Sequence, residues 1–347
     1  MYNMTPFKQL QRPLNAHIDL DGQSYLYFGG TAYLGIPQDK AFAAHYLEGI
    51  NRFGLNNGTS RGNNIQLGIY NDAEAYAGNY FGSDDTLITS SGYLAAQLAV
   101  RNLSVGKAIL YAPQTHPSLW IDGAAPNELD FATWSKMALE QINIGTECNW
   151  LLVSNSINNL YPECYDFSFL TALKSGKKVT LLVDDSHGIG VLNGGKGVYS
   201  HLAGSTNVEV VVVASMAKAL GLDAGIILGS KALIQALKES NEFLGASPPS
   251  AAGLYAFMHA EHIYQNALTT LYELIYFLAM QLNKDWISLP DFPVFQSFEP
   301  GLFNRLLAKQ VLISSFPYPT PKSEPVNRIV LSSWHSKAQV YELVKLL

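Results

Sequence analysis

A single lysine, Lys218, follows the apolar run Val208 to Ala214 and is itself followed by Ala219-Leu220-Gly221. A solvated amine is out of place in such a stretch. Desolvation there disfavours the ammonium form and lowers the pKa, which turns a lysine toward nucleophilic and base chemistry. Three other apolar runs end in reactive residue types. Val179 to Val183 runs into Asp184, Asp185, Ser186 and His187, then Gly188-Ile189-Gly190. Leu87-Ile88-Thr89 runs into Ser90, Ser91, Gly92 and Tyr93. Ile109-Leu110-Tyr111 is followed by Thr115, His116, Pro117 and Ser118. Together they offer a carboxylate, two imidazoles, one amine and a Ser/Gly helix start, the parts of an acid–base and nucleophilic site. Taken singly, most have plainer readings. Asp184-Asp185 could be a polar turn or helix cap, the histidines satisfied structural groups, and Ser90 to Tyr93 an ordinary N-cap. Lys218 is harder to dismiss.

These residues share a position: each follows a strand-like segment. Tyr25 to Phe28, Asp85 to Thr89, Lys107 to Tyr111, Trp150 to Ser154, Val179 to Val183, Val208 to Ala214 and Ala224 to Leu228 read as strands. Helical patterns alternate with them over Lys40 to Phe53, Glu74 to Phe81 and Leu94 to Asn102. Several of the strands are β-branched or Leu-rich along their length, as strands covered on both faces are. Strands alternating with helices indicate an α/β fold, a mostly parallel sheet with crossover helices on its faces. In such a sheet ligands bind beyond the carboxyl ends of the strands, where these residues stand. From Ala251 the pattern changes to long helices through Leu282. Strands follow at Phe295 to Phe298 and Asn327 to Leu331, with a loop over Phe316 to Pro325 and a closing helix over Lys337 to Leu347. The division expected is an N-terminal segment over 1–40, a large domain over 41–250 and a small α+β domain over 251–347.

Composition narrows the function. Charged residues are only 14% of the 347, while hydrophobic ones are 48% and aromatics 12%, which excludes intrinsic disorder. A net charge of −6 gives no reason to expect nucleic acid or an anionic membrane as partner. Cys148 and Cys164 form no CxxC pair, so neither a disulfide framework nor a zinc site is expected, and no metal. The first residues lack the order of a signal peptide, and no apolar run nears the ~18 residues of a membrane span. A soluble cytoplasmic protein is the expectation. Two nucleotide motifs fail. Gly190 to Lys196 matches GxxxxGK, but Gly197 stands where a magnesium-binding Ser or Thr belongs, and no GxGxxG follows the first strand.

The ordered set of segments resembles the pyridoxal-phosphate (PLP) enzymes of aminotransferase fold type I, and among them the α-oxoamine synthases. Asp184-Asp-Ser-His-Gly-Ile-Gly190 is similar to that family's Asp-Glu/Asp-Ala-His-Gly-x-Gly, and Ser215-Met-Ala-Lys-Ala-Leu-Gly221 to its Thr-x-x-Lys-Ala-x-Gly. Ser91-Gly-Tyr93, Thr115-His-Pro-Ser118, Tyr33-Leu-Gly35, Ser60-Arg61, Pro248-Pro249 and Arg328-Ile-Val-Leu331 with His335 fall in family order, over nearly the whole chain. The resemblance implies that Lys218 holds PLP as a Schiff base and takes the Cα proton. It implies that Asp184 pairs with the pyridine nitrogen, His187 with the ring's phenolic oxygen, and that His116 stacks on the ring. Ser91, Gly92, Tyr93, Ser215 and Asn159 complete the implied cofactor site, while Arg328 and Thr320 would take the substrate.

The implied reaction is the decarboxylative condensation of a small amino acid, alanine or glycine, with an acyl thioester. In the biotin-pathway branch of the family these are L-alanine and a pimeloyl thioester. The implied assembly is a homodimer with its site at the interface. An aminotransferase on the same fold, or a PLP-fold protein without turnover, would carry many of the same residues. The chain departs from the family at Asn155, where a Glu is usual, at Asn159 for a Ser, at Thr31 for an Asn and at Gly245 for a Thr.

Overall fold

The structure is a computed structural model that describes residues 5–123, 129–158, 160–203, 207–317 and 325–347. Its strands are β1 (His17–Leu20), β2 (Gln23–Phe28), β3 (Asp85–Thr89), β4 (Ala108–Tyr111), β5 (Asn149–Asn155), β6 (Lys178–Asp184), β7 (Val208–Ser215), β8 (Gly225–Gly229), β9 (Ile287–Ser288), β10 (Val294–Ser297), β11 (Val311–Pro317) and β12 (Pro325–Val330). They form two six-stranded sheets. The central sheet runs β3-β8-β7-β6-β5-β4, with β4 to β7 parallel. Leu151, Leu182, Val211 and their neighbours are almost wholly inaccessible, because helices cover both faces. This is the α/β fold expected. One edge departs from it: β8 is antiparallel to both β7 and β3. The chain turns back directly after Lys218, with Met216 N–H donating to Ala224 O at 2.9 Å. A return that short leaves no room for a crossover helix, so the next strand must run antiparallel.

The second sheet runs β1-β2-β11-β12-β10-β9, with β2 parallel to β11 and the other pairs antiparallel. Residues 17–28 therefore lend two strands to a sheet otherwise built from residues after 286. Neither β1 nor β11 is among the strands expected, although β1 alternates polar and apolar residues, His17-Ile18-Asp19-Leu20, ahead of an Asp21-Gly22 turn. The segment Phe316 to Pro325, expected as a loop, begins and ends in paired strand, Phe316 opposite Val326 and Pro317 opposite Pro325. Pro317 and Pro325 sit at the strand ends, where a missing N–H costs least, and residues 318–324 lie outside the described residues.

Three helices bear on the site: α1 (Lys40–Phe53), α2 (Ile69–Phe81) and α3 (Gly92–Ser104). Asp39 caps α1, accepting Phe42 N–H at 2.7 Å, and Ser91 caps α3, accepting Leu94 N–H at 3.1 Å. α2 starts before the expected Glu74, because Ile69, Tyr70 and Ala73 all face the core. Glu74 itself is buried and takes charge-assisted contacts from Arg61 and Lys238, each at 2.9 Å, plus Ile88 N–H at 3.1 Å. That knot ties α2 to β3, to the loop carrying Arg61 and to helix Lys231–Lys238. Glu74→Gln leaves the buried Arg61 without its countercharge. We expect it to lower stability by about 3 kcal/mol, measured as a lower urea midpoint at unchanged m-value; an unchanged midpoint would show that the knot is inert.

Candidate active site

The parallel strands end side by side. Asn155 at the end of β5 lies in register with Asp184 at the end of β6, and Asp184 with Val213 of β7. Against these ends the first turn of α3 is pressed unusually close. A Cβ on Gly92 would lie 2.6 Å from Ser215 Cβ, and one on Gly225 would collide with the Ser91 carbonyl oxygen. Glycine at both positions is what permits the approach. The N–H groups of Gly92 and Tyr93 precede the first intrahelical bond, Ala95 N–H to Ser91 O, so the helix does not use them. With the hydroxyls of Ser91 and Ser215 beside them, they make an anion seat at the positive end of a helix dipole. The Tyr93 ring points outward, 65% exposed.

Lys218 stands half-buried just past β7. Burial pushes its amine below the ordinary lysine range, and the nearby Asp184 carboxylate pulls it partly back. Asp184 is itself oriented: its Oδ1 accepts Ser186 N–H at 2.8 Å. Asp185 does a different job. It is wholly buried, accepts Ser156 Oγ–H at 2.5 Å and Val198 N–H at 3.0 Å, and burial pushes its carboxyl up to about 7. Side chains at Gly188 or Gly197 would collide with it. The two adjacent aspartates thus divide into one facing the cleft and one pinning the turn behind it.

His187 lies 2.7 Å through Nδ1 from the hydroxyl of Tyr33, and burial together with Lys218, Arg328 and His116 holds its imidazole well below the ordinary range. It is neutral at pH 7. Desolvation also lowers His116, with Asp184 opposing and Lys218 reinforcing the shift. The loop that carries His116 is clamped by Asn155, which is 2% exposed: its Nδ2 donates to Gln114 O at 2.7 Å and its Oδ1 accepts His116 N–H at 3.1 Å. Gln114 has a φ of 55°, a costly left-handed conformation that this clamp secures. His116 Nδ1 accepts from Ser118 Oγ and Ser118 N–H, at 2.7 and 3.2 Å.

Arg328 comes from the other sheet, on β12. Its guanidinium lies 4.9 Å over the Phe316 ring and donates to the Leu160 carbonyl. Arg328, Phe316, Tyr33, His187 and Tyr161 share a cavity of about 180 Å³. The structure therefore brings together Asp184, His187, His116, Lys218 and Arg328, and sets Ser91, Gly92, Tyr93 and Ser215 at the helix start. Asn159 and Thr320 lie outside the described residues. His335 is a structural group. It is buried, stacked 4.5 Å from Phe28 and bonded to Tyr27 O and Ser332, and burial pushes its pKa down to about 4. Lys196 of the rejected GxxxxGK motif sits 3.3 Å over the Tyr80 ring. Sequence reasoning missed the working contacts of Tyr33 and Asn155; Tyr33 was visible only as part of a motif, and Asn155 only as a departure.

The donor set fits PLP by its chemistry. An amine with a lowered pKa suits an aldehyde, a carboxylate suits a protonated ring nitrogen, and the glycine-permitted helix start suits a phosphate.

Comparison with known proteins agrees. Residues 47–345 match the family model for aminotransferase class I and II. The chain is 26% identical to an 8-amino-7-oxononanoate synthase of Nitrosococcus oceani, over 97% of this chain and 94% of the relative. It is 24% identical to one of Pseudomonas syringae pv. tomato, over 100% and 91%. Among solved structures, Sphingomonas wittichii serine palmitoyltransferase superposes with a TM-score of 0.82 at 17% identity, covering 98% of this chain and 91% of that one. The 8-amino-7-oxononanoate synthase of Francisella tularensis gives 0.70 at 18%, covering 93% and 96%.

Asn155→Asp replaces a donor with a carboxylate facing the Gln114 carbonyl. We expect faster amide exchange over residues 114–118, read by hydrogen–deuterium mass spectrometry, and a loss of about 2 kcal/mol in urea. Unchanged exchange would show that the loop does not depend on the clamp.

Proposed function

This chain belongs to the aminotransferase class I and II family, and we propose that it is a PLP-dependent acyltransferase of the α-oxoamine synthase type. It would join a small amino acid, alanine or glycine, to an acyl thioester, releasing the thiol and CO₂ and leaving an amino ketone. The reading rests above all on one observation: a half-buried amine just past β7, near the Asp184 carboxylate, at the strand end where Ser215 meets the first turn of α3.

PLP, when bound, supplies an aldehyde that links covalently to amines and a ring that accepts the electron pair left at Cα. The chain's residues do the rest. Ser91, Ser215 and the N–H groups of Gly92 and Tyr93 would hold the phosphate. Asp184, oriented by Ser186 N–H, would stabilise a protonated ring nitrogen. His187, neutral, would offer one hydrogen bond to the cofactor, and His116 would help to hold it. Because its pKa is lowered, Lys218 is neutral in a larger fraction at pH 7–8 than an ordinary lysine, so it can take the Cα proton of the amino acid. The Arg328 fork receives the substrate carboxylate. Its present partner, the Leu160 carbonyl, is neutral and a weaker match for a guanidinium than a carboxylate. Asn159 and Thr320 are assigned to cofactor and substrate by resemblance.

We also propose a homodimer. Leu55, Ile65, Tyr93 and Leu244 are exposed, and Gly62 N–H binds Leu244 O at 2.8 Å, which joins two of the segments carrying them. Among the described residues no helix is long and apolar enough to cross a membrane.

The PLP-loaded protein, given alanine or glycine and a panel of acyl-CoAs, should release free CoA. Lys218→Ala should retain no cofactor after borohydride reduction and lose more than about 10⁴-fold in rate. Pyruvate formed from alanine, with PLP converted to its amine form and no CoA released, would replace this reading with an aminotransferase.

A further inference from the structure

The cleft's neutral histidine has two ring nitrogens, and the fold treats them differently. His187 Nδ1 lies 2.7 Å from Tyr33 Oη. Its Nε2 makes no hydrogen bond to the described residues, and the side chain lines the cavity shared with Arg328. Tyr33 is anchored far more firmly than a cleft residue needs to be. It is 1% exposed, its ring packs edge-on to Phe292 at 6.1 Å, and its carbonyl accepts Ser333 N–H at 2.9 Å. Gly35, in left-handed geometry with φ 62°, lets this segment approach so closely that a Cβ would lie 2.8 Å from Ser333 Oγ. The phenol is therefore placed by the second sheet, not by the strand that carries His187.

We infer that Tyr33 is a positioning residue that donates its O–H to His187 Nδ1, so that the imidazole is held as the Nε2–H tautomer and presents a hydrogen-bond donor to the cavity. The direction follows from satisfying both groups. Among the described residues Tyr33 Oη meets one partner, His187 Nδ1. Were Nδ1 protonated, it would donate to the phenol oxygen, the buried O–H would have no acceptor, and Nε2 would offer the cavity only a lone pair. An unmet buried hydroxyl is costly. With Tyr33 donating, both groups are satisfied and the proton sits on the nitrogen that faces the site. Burial raises the phenol above its ordinary range, with Arg328 opposing, so Tyr33 keeps its proton. The charged groups that act on His187, Lys218 and Arg328 with His116, all oppose its protonation, which leaves the neutral tautomers as the states to choose between.

What the Nε2–H acts on rests on the cleft being a PLP site, where a ring oxygen would be the acceptor; the tautomer itself does not. The test separates the two. Protein labelled with ¹⁵N-histidine, with His187 assigned by the signals lost in His187→Gln, should show a bare Nδ1 and a protonated Nε2 in long-range ¹H–¹⁵N spectra. Tyr33→Phe keeps the ring and removes the oxygen. It should shift a substantial share of His187 to the Nδ1–H form while circular dichroism stays native. In PLP-loaded protein the same substitution should move the pH midpoint of the visible band and lower turnover by about 3- to 10-fold, the size of one neutral hydrogen bond. An Nδ1–H tautomer in the wild type overturns the inference whatever the variant does. So does a Tyr33→Phe protein with an unchanged tautomer and midpoint.

Discussion

An amine kept partly out of water at the end of a parallel strand is the constraint on which the rest of this molecule depends. Near Lys218 the Asp184 carboxylate offsets part of the desolvation, and the chain turns back at once into β8. That immediate return makes β8 antiparallel and brings Gly225 under Ser91. Gly225 and Gly92 in turn allow the start of α3 to meet the strand ends. A reactive amine, its counter-carboxylate and an anion seat thus arise from one tight return of the backbone. Packing of that closeness leaves little freedom for the groups it carries, which favours a preorganised site.

The second sheet supplies what the first cannot. Arg328 on β12 and Tyr33, just beyond β2, reach the cleft from elements that share no strand with Lys218 or His187. Because β2 pairs with β11 and β11 with β12, the amino-terminal strands and the arginine belong to one body. The bond from Tyr33 to His187 and that from Arg328 to Leu160 are two polar links from that body to the central sheet. Both end at the site, so the relative position of the two sheets is felt directly by the groups that would handle substrate.

Buried polar groups behind the cleft explain residues that otherwise look decorative. Asp185 is held by Ser156 and Val198, and the glycines around it are small because its carboxyl occupies the space. Asn155 uses both ends of its amide on one loop, which a carboxylate could not do. At this position, where the resemblance implies a glutamate, an amide performs the local task of securing Gln114 and His116. Desolvation likewise keeps His335 a neutral packing group.

Much of this was legible in the chain alone, and for a physical reason. Strands covered on both faces must be continuously apolar, so β5, β6 and β7 declare themselves, and the polar residues after them mark the strand ends where ligands bind. Lys218, Asp184 and His187 were found that way, and the spacing of their motifs carried the resemblance. The sequence was silent wherever partners come from far along the chain. β11 lacks a clear period because its pairing, not its own pattern, makes it a strand. A turn too short for a crossover decided the direction of β8. Which aspartate faces the cleft, what Asn155 clamps and which nitrogen of His187 meets Tyr33 depend on contacts across 29 to 154 residues. Local residue types determine what chemistry is available; only the packing of distant segments decides where each proton can sit.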